Sequence, residues 1–163
     1  MSCKINHERL YEEIKADEGE VLEVYLDHLG YPTIGIGHLV RAEDAEHGQP
    51  TGTKITAERS RELFTRDIEC AIKDCERLYA QWHTWPEEVH LILVNMAFNL
   101  GATRLAKIKN MHNMLSQGKW KEAAAEGRDS RWYRQVTNRA ERLMARLENV
   151  PPRPPLSRED FIE

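Results

Sequence analysis

Three residues near the start of the chain have types and spacing suited to acid–base chemistry: Glu18, Asp27 and Thr33. Glu18 falls on the apolar stripe of a helix marked by Leu10 and Ile14, at its C-terminal end. Burial and the negative end of the helix dipole both disfavour its charged form, as a general acid working near neutral pH requires. Arg139 or another cation would oppose this. Asp27 precedes a His28-Leu29-Gly30 turn, in more polar surroundings, and is expected to stay ionised. Two carboxylates in unlike environments are the pattern of a glycosidase. Thr33 lies across the expected hairpin from the Asp27 region, where its hydroxyl can hold a water. Each residue also has a plain reading (an exposed helix-end acid, a turn residue, a strand residue), and the signal lies in the combination.

Asn6 caps a helix over about 7–18, and Gly19 ends it. Val21 to Asp27 is rich in β-branched and aromatic residues, and Tyr31 to Val40 reads as a second strand, giving a small antiparallel sheet. Gly35 and Gly37 alternate on one side of that strand, and glycine within a strand marks close approach of a ligand or another backbone. Residues 41–55 read as loop. Thr56 caps a helix over about 57–80, whose apolar stripe from Leu63 to Leu78 contains an anomalous charge, Asp67. Pro86 opens and Gly101 closes a helix that is apolar almost all round, hence buried and central. Further helices are expected near 104–116, 119–126, 130–134 and 137–149, with an extended tail over 151–163. The fold class is therefore α+β in a single domain. A small antiparallel β lobe spans 19–56, a larger helical lobe combines 1–18 with 57–163, and an interlobe cleft is the natural ligand site.

The 163 residues are 40% hydrophobic and 31% charged, with a mean hydropathy of −0.65, which excludes disorder and a disulfide scaffold. No apolar run is long enough to span a membrane. Met1 to Glu8 has no apolar core of signal-peptide type, so a cytosolic start is expected. Cys3, Cys70 and Cys75 suggest free thiols in a reducing compartment, and their spacing fits no metal site. Residues 1–100 hold 10 basic and 19 acidic side chains, a net of −9, whereas 101–150 hold 11 and 5, a net of +6. A basic C-terminal part suits an anionic partner; its plain reading is a solvated helical face.

Asp17-Glu18-Gly19, Tyr25-Leu26-Asp27 and Gly30-Tyr31-Pro32-Thr33-Ile34-Gly35-Ile36-Gly37-His38 together closely resemble the T-even phage-type lysozymes, the phage endolysin family of glycoside hydrolases. Glu18, Asp27 and Thr33 reproduce that family's spacing. Leu63 to Asp67 looks like the start of its interlobe helix, and Asn95 to Gly101 is similar to its central helix. Ser130 to Tyr133 and Asn138 to Arg142 match its closing segment, so the resemblance covers roughly 10–149.

The resemblance implies hydrolysis of the β-1,4 bond between N-acetylmuramic acid and N-acetylglucosamine in peptidoglycan. Glu18 would protonate the glycosidic oxygen while Asp27 and Thr33 position the attacking water. Spacing alone leaves inversion and retention open, and the family points to inversion. Leu39, Phe98, Asn99 and Gly37 match substrate-binding positions. His38 and Asp67 match an ion pair between the sheet and the long helix, Arg139 would reach Glu18, and Arg142 would pair with Asp17. No metal or organic cofactor is implied. The expected partner is peptidoglycan, with no nucleic acid and no stable membrane association. The expected form is a monomer held in the host cytoplasm until a holin pore releases it to the periplasmic wall, causing host lysis.

The stretch from His38 to Thr56 is shorter than in the family's T-even members, so a small-lobe helix is expected to be missing and the cleft to be more open. Met111 and Glu126 stand where those members have polar substrate contacts. Three other readings compete. A lytic transglycosylase needs no held water, which leaves Asp27 and Thr33 without a task. A non-enzymatic wall-binding homologue fits poorly with an intact Glu18 and Asp27. A nucleic-acid-binding helical protein leaves residues 17–38 unexplained.

Overall fold

Asn6 turns the chain into the first helix, α1 (His7–Glu18), by accepting the Arg9 backbone N–H on its side chain at 3.0 Å. Gly19, at φ +75°, ends that helix while its N–H bonds the Lys15 carbonyl. Glu18 is therefore the last helical residue, fixed just before the chain becomes extended. These and the following details come from a computed structural model, which describes residues 5–152; Cys3 and the tail beyond Pro152 lie outside the described residues.

Three antiparallel strands follow in the order β1 (Val21–Leu26), β2 (Pro32–Gly35) and β3 (His38–Leu39). The register sets Tyr25 opposite Thr33 and Leu26 opposite Pro32, then Thr33 opposite Leu39. The stretch from Tyr31 to Val40 is thus not one strand. Ile36 and Gly37 form a turn that reverses it, and Gly35 and Gly37 both take left-handed backbone, at φ +62° and +63°. The two glycines are there for the reversal, which L side chains resist, and do not form a bare strand face.

The segment expected to be plain loop also has an ordered part. Residues 52–55 run antiparallel along the outer edge of β1, with Gly52, Thr53 and Ile55 exchanging backbone hydrogen bonds with Leu22 and Val24. This covers an edge that would otherwise expose unpaired N–H and C=O groups. No helix lies between β3 and the next helix among the described residues.

Thr56 caps α2 (Ala57–Leu78), again by accepting a backbone N–H, that of Arg59. A short 3₁₀ turn, Trp82–Thr84, leads into α3 (Glu87–Leu100), whose residues Val89 to Ala97 are all buried. Each fully buried Leu or Ile there contributes about 1.5–3 kcal/mol of hydrophobic stabilisation. The remaining helices are α4 (Ala102–Ala106), α5 (Lys109–Ser116), α6 (Trp120–Arg128), α7 (Arg131–Gln135) and α8 (Thr137–Glu148). The single helix expected over 104–116 is interrupted because Ile108 leaves helical backbone, at ψ +71°.

One large apolar cluster joins Leu10 and Ile14 of α1 to Phe64 and Ile68 of α2, to α3 and to α8. A smaller one, of Val24, Ile34 and Leu63, fastens the sheet to α2. The architecture is mostly helical with one small antiparallel sheet, as the α+β reading required. Among the described residues no helix is long and apolar enough to cross a membrane.

Candidate active site

Glu18 projects from the end of α1 toward α8. Arg139, on α8 and only 9% exposed, donates from Nη1 to Glu18 Oε1 at 2.5 Å. The other carboxylate oxygen, Oε2, faces Gly37: a Cβ built on that glycine would sit 3.1 Å from it. The turn that splits the second strand therefore brings a residue without a side chain against Glu18.

The neighbours of Glu18 form a connected polar cluster, buried at Asp17, Asn95 and Arg139 and open to solvent at Arg142. Asn95 of α3, 1% exposed, accepts Arg139 Nε–H and Nη2–H on its one carbonyl oxygen, at 2.9 and 2.7 Å. Its Nδ2 donates to Asp17 Oδ2 at 3.2 Å. Asp17 also pairs with Arg142 and lies 3.5 Å from Arg139 Nε. Two acids of α1 thus meet two bases of α8 around one buried amide, which satisfies charges that would otherwise be costly to bury.

Asp27 is oriented by its own turn. Its Oδ1 accepts the backbone N–H groups of Leu29 and Tyr31, both at 2.9 Å, and its backbone N–H donates to the Tyr31 carbonyl. This Asx turn leaves Oδ2 as the oxygen that the turn does not use. Thr33, 2% exposed, donates its hydroxyl to the Tyr31 carbonyl at 2.9 Å, so its oxygen lone pairs remain for a donor. Asp27 and Thr33 thus converge on the backbone of one residue, Tyr31. The Tyr25 phenol reports on both acids: burial raises its pKa, and the charges of Glu18 and Asp27 raise it further.

His38, on β3, is bonded through both ring nitrogens. Nδ1 lies 2.6 Å from Asp67 of α2 and Nε2 lies 2.7 Å from Asp44 of the following loop. Asp44 also accepts the Arg41 backbone N–H, and nearby Glu46 holds Arg59 of α2 through two bonds. Burial alone would lower the His38 pKa, but the hydrogen bonds and charges of the two carboxylates outweigh it and the net shift is upward.

The other residues singled out in the sequence have their own separate contacts. Leu39 is half exposed, opposite Thr33. Phe98 packs on Phe64, with ring centroids 5.6 Å apart. Asn99 accepts the indole N–H of Trp132 at 2.9 Å. Beside Trp132 lies a cavity of about 450 Å³ whose charged lining is Arg104, Lys107, Lys109 and Arg131 with Glu126 and Asp129; Glu18, Asp27 and Thr33 do not line it. Among the described residues no group of three or more His, Cys, Asp or Glu is placed to hold a metal ion. Reading the sequence missed Asn95, Asp44 and Tyr25. Only Asn95 carried a signal, a polar residue within the most apolar helix.

Comparison with known proteins matches residues 15–149 to the phage lysozyme family model. The chain is 35% identical over 150 residues to the pre-baseplate central spike protein Gp5 of Enterobacteria phage T4, covering 81% of this chain and 26% of that protein. It is 32% identical over 154 residues to the probable T4-type lysozyme 1 of Dictyostelium discoideum, covering 83% of this chain and 91% of that one. It is 33% identical over 96 residues to the endolysin of Salmonella phage P22, covering 57% and 61%. The chain thus spans only about a quarter of the spike protein and most of the amoebal lysozyme.

Proposed function

The chain belongs to the phage lysozyme family, and from that premise we propose that it is an endolysin. It cleaves the β-1,4 bond between N-acetylmuramic acid and N-acetylglucosamine in peptidoglycan, with inversion at the anomeric carbon. Glu18 is the acid, giving its proton to the glycosidic oxygen as the C1–O bond breaks. A water donates one hydrogen to Asp27 Oδ2 and the other to Thr33 Oγ, which aims its lone pair at the opposite face of C1. Asp27 takes the proton that the water loses and releases it to solvent, and solvent returns a proton to Glu18.

The observation that supports this best is how differently the two acids are held. Glu18 has one oxygen on Arg139 and the other against Gly37. Asp27 has one oxygen on two backbone N–H groups, with Thr33 anchored to the same turn. Inversion needs room for a water, with the carboxyl groups about 6.5–9.5 Å apart. In this reading the sheet and the helices are two lobes, with Leu39, Phe98 and Asn99 lining the sugar path between them. The enzyme acts as a monomer, waits in the host cytoplasm, and reaches the wall after a holin opens the membrane.

Digestion of purified peptidoglycan tests the reaction. Products carrying a free muramic acid reducing end, first released as the α anomer, are expected. Anhydro ends, lighter by one water, would mark a transglycosylase, and first release of the β anomer would mark retention.

A further inference from the structure

We infer that Asn95 is a positioning residue for the acid: by holding two arms of the Arg139 guanidinium, it restricts that group to a single hydrogen bond on Glu18. The inference rests on the reading of Glu18 as the acid. An unconstrained guanidinium meets a carboxylate through two parallel N–H bonds, one on each oxygen. That pairing holds the carboxylate in its charged form, the reverse of what an acid requires.

The observed contacts are different. Arg139 Nε and Nη2 both point at Asn95 Oδ1, at 2.9 and 2.7 Å, so the side-on edge of the guanidinium is occupied by a neutral oxygen and cannot grip a carboxylate. Only Nη1 reaches Glu18, and only at Oε1. Oε2, facing Gly37, is left to carry the proton. Asn95 is itself locked by its bond to Asp17. The charged and titratable groups around Glu18 are Arg139 of α8, Asp17 of its own helix with Arg142 of α8 behind it, and the Tyr25 phenol of β1. Within this set Asn95 is the neutral member. An apolar side chain there would release the guanidinium toward Glu18, and a carboxylate would draw it away.

Two substitutions therefore push in opposite directions. With Asn95→Leu, the alkaline limb of the kcat profile on soluble peptidoglycan fragments moves down by about 1 pH unit, and with Asn95→Asp it moves up by about as much. KM stays within about twofold in both. A merely structural role lowers the unfolding temperature in both variants and leaves the limbs unmoved or moves them the same way; either result overturns the inference. Should a variant not fold, nitrogen NMR of wild-type Arg139 decides. Nη1 is expected to respond as the proposed acid titrates, while Nε stays fixed and protected from exchange; equal responses overturn the inference. If Glu18→Gln abolishes activity while the Asn95 limbs stay put, only this inference fails. If Glu18→Gln is fully active, both fail.

Discussion

His38 Nδ1 lies 2.6 Å from the Asp67 carboxylate, joining the last strand of the sheet to the long helix α2. The bond explains a charge set into an apolar helical stripe, and Asp44 closes the other side of the ring. The pKa of His38 is raised above its ordinary 6.5 despite burial, because both carboxylates hold the imidazolium. That of Asp44 is lowered although burial opposes it, because His38 and the Arg41 N–H bond its carboxylate. The His38 contribution is complete below pH 6.5 and is lost as pH rises through the raised folded value. The Asp44 contribution is present above its ordinary 3.8 and is lost as pH falls through the lowered folded value. His38→Asn is therefore expected to cost about 3 kcal/mol, or about 6–12 °C in unfolding temperature, between about pH 4 and 6.5. Thermal unfolding of both proteins across pH checks this: the gap narrows as pH rises above 6.5, and a gap that stays constant contradicts it.

Asp27→Asn separates activity from folding. The amide retains an oxygen for the Leu29 and Tyr31 N–H groups, so the turn and the unfolding temperature should survive. The proposed base is gone, and kcat should fall by about 10²–10⁴-fold. Kinetics and thermal unfolding on the same preparation give both numbers.

Gly37→Ala tests the contact behind Glu18. Both Gly37, at φ +63°, and Gly48, at φ +79°, resist an L side chain, at about 1–2 kcal/mol each. Only at Gly37 would the new methyl meet Glu18, at 3.1 Å from Oε2; at Gly48 it meets open space. Similar losses of stability are expected, with kcat reduced at least about tenfold in Gly37→Ala alone. Equal activity in the two variants would remove Gly37 from the site.

The net charge of +6 over residues 101–150, with Arg104, Lys107, Lys109 and Arg131 outnumbering Glu126 and Asp129 around one cavity, should speed encounter with an anionic wall. Lysis should slow as ionic strength rises above about 0.15 M, where the Debye length is about 8 Å. Lys107→Glu combined with Lys109→Glu should lower the low-salt rate and flatten that dependence. Turbidity clearance over a salt series measures both.

Local signals in the sequence marked the elements well. Asn6, Gly19, Thr56, Pro86 and Gly101 stand at the helix ends because their backbone or side-chain chemistry suits those positions. The reversal at Ile36-Gly37 was hidden because alternating glycines look the same in a strand and in a turn until their φ angles are known. The helix break at Ile108 has no capping residue to announce it. In the candidate site, Glu18, Asp27 and Thr33 lie within one short segment and were legible as a motif. Arg139 meets Glu18 across 121 positions, and only the family resemblance suggested that pairing. Asp44 had neither kind of signal, and Asn95 only its polarity within an apolar helix, since each acts through partners that only tertiary structure brings near.

Glu18→Gln is the most direct measurement of the central claim. Glutamine keeps the shape and an oxygen for Arg139 but has no proton to transfer to the glycosidic oxygen. Turbidity of outer-membrane-permeabilised bacteria would be followed for both proteins, with unfolding temperatures confirming that each is folded. Rapid clearing by the wild type and none by the variant is the predicted result. Equal clearing by both would show that Glu18 is not the acid, and no clearing by the folded wild type would contradict a muramidase acting on that wall.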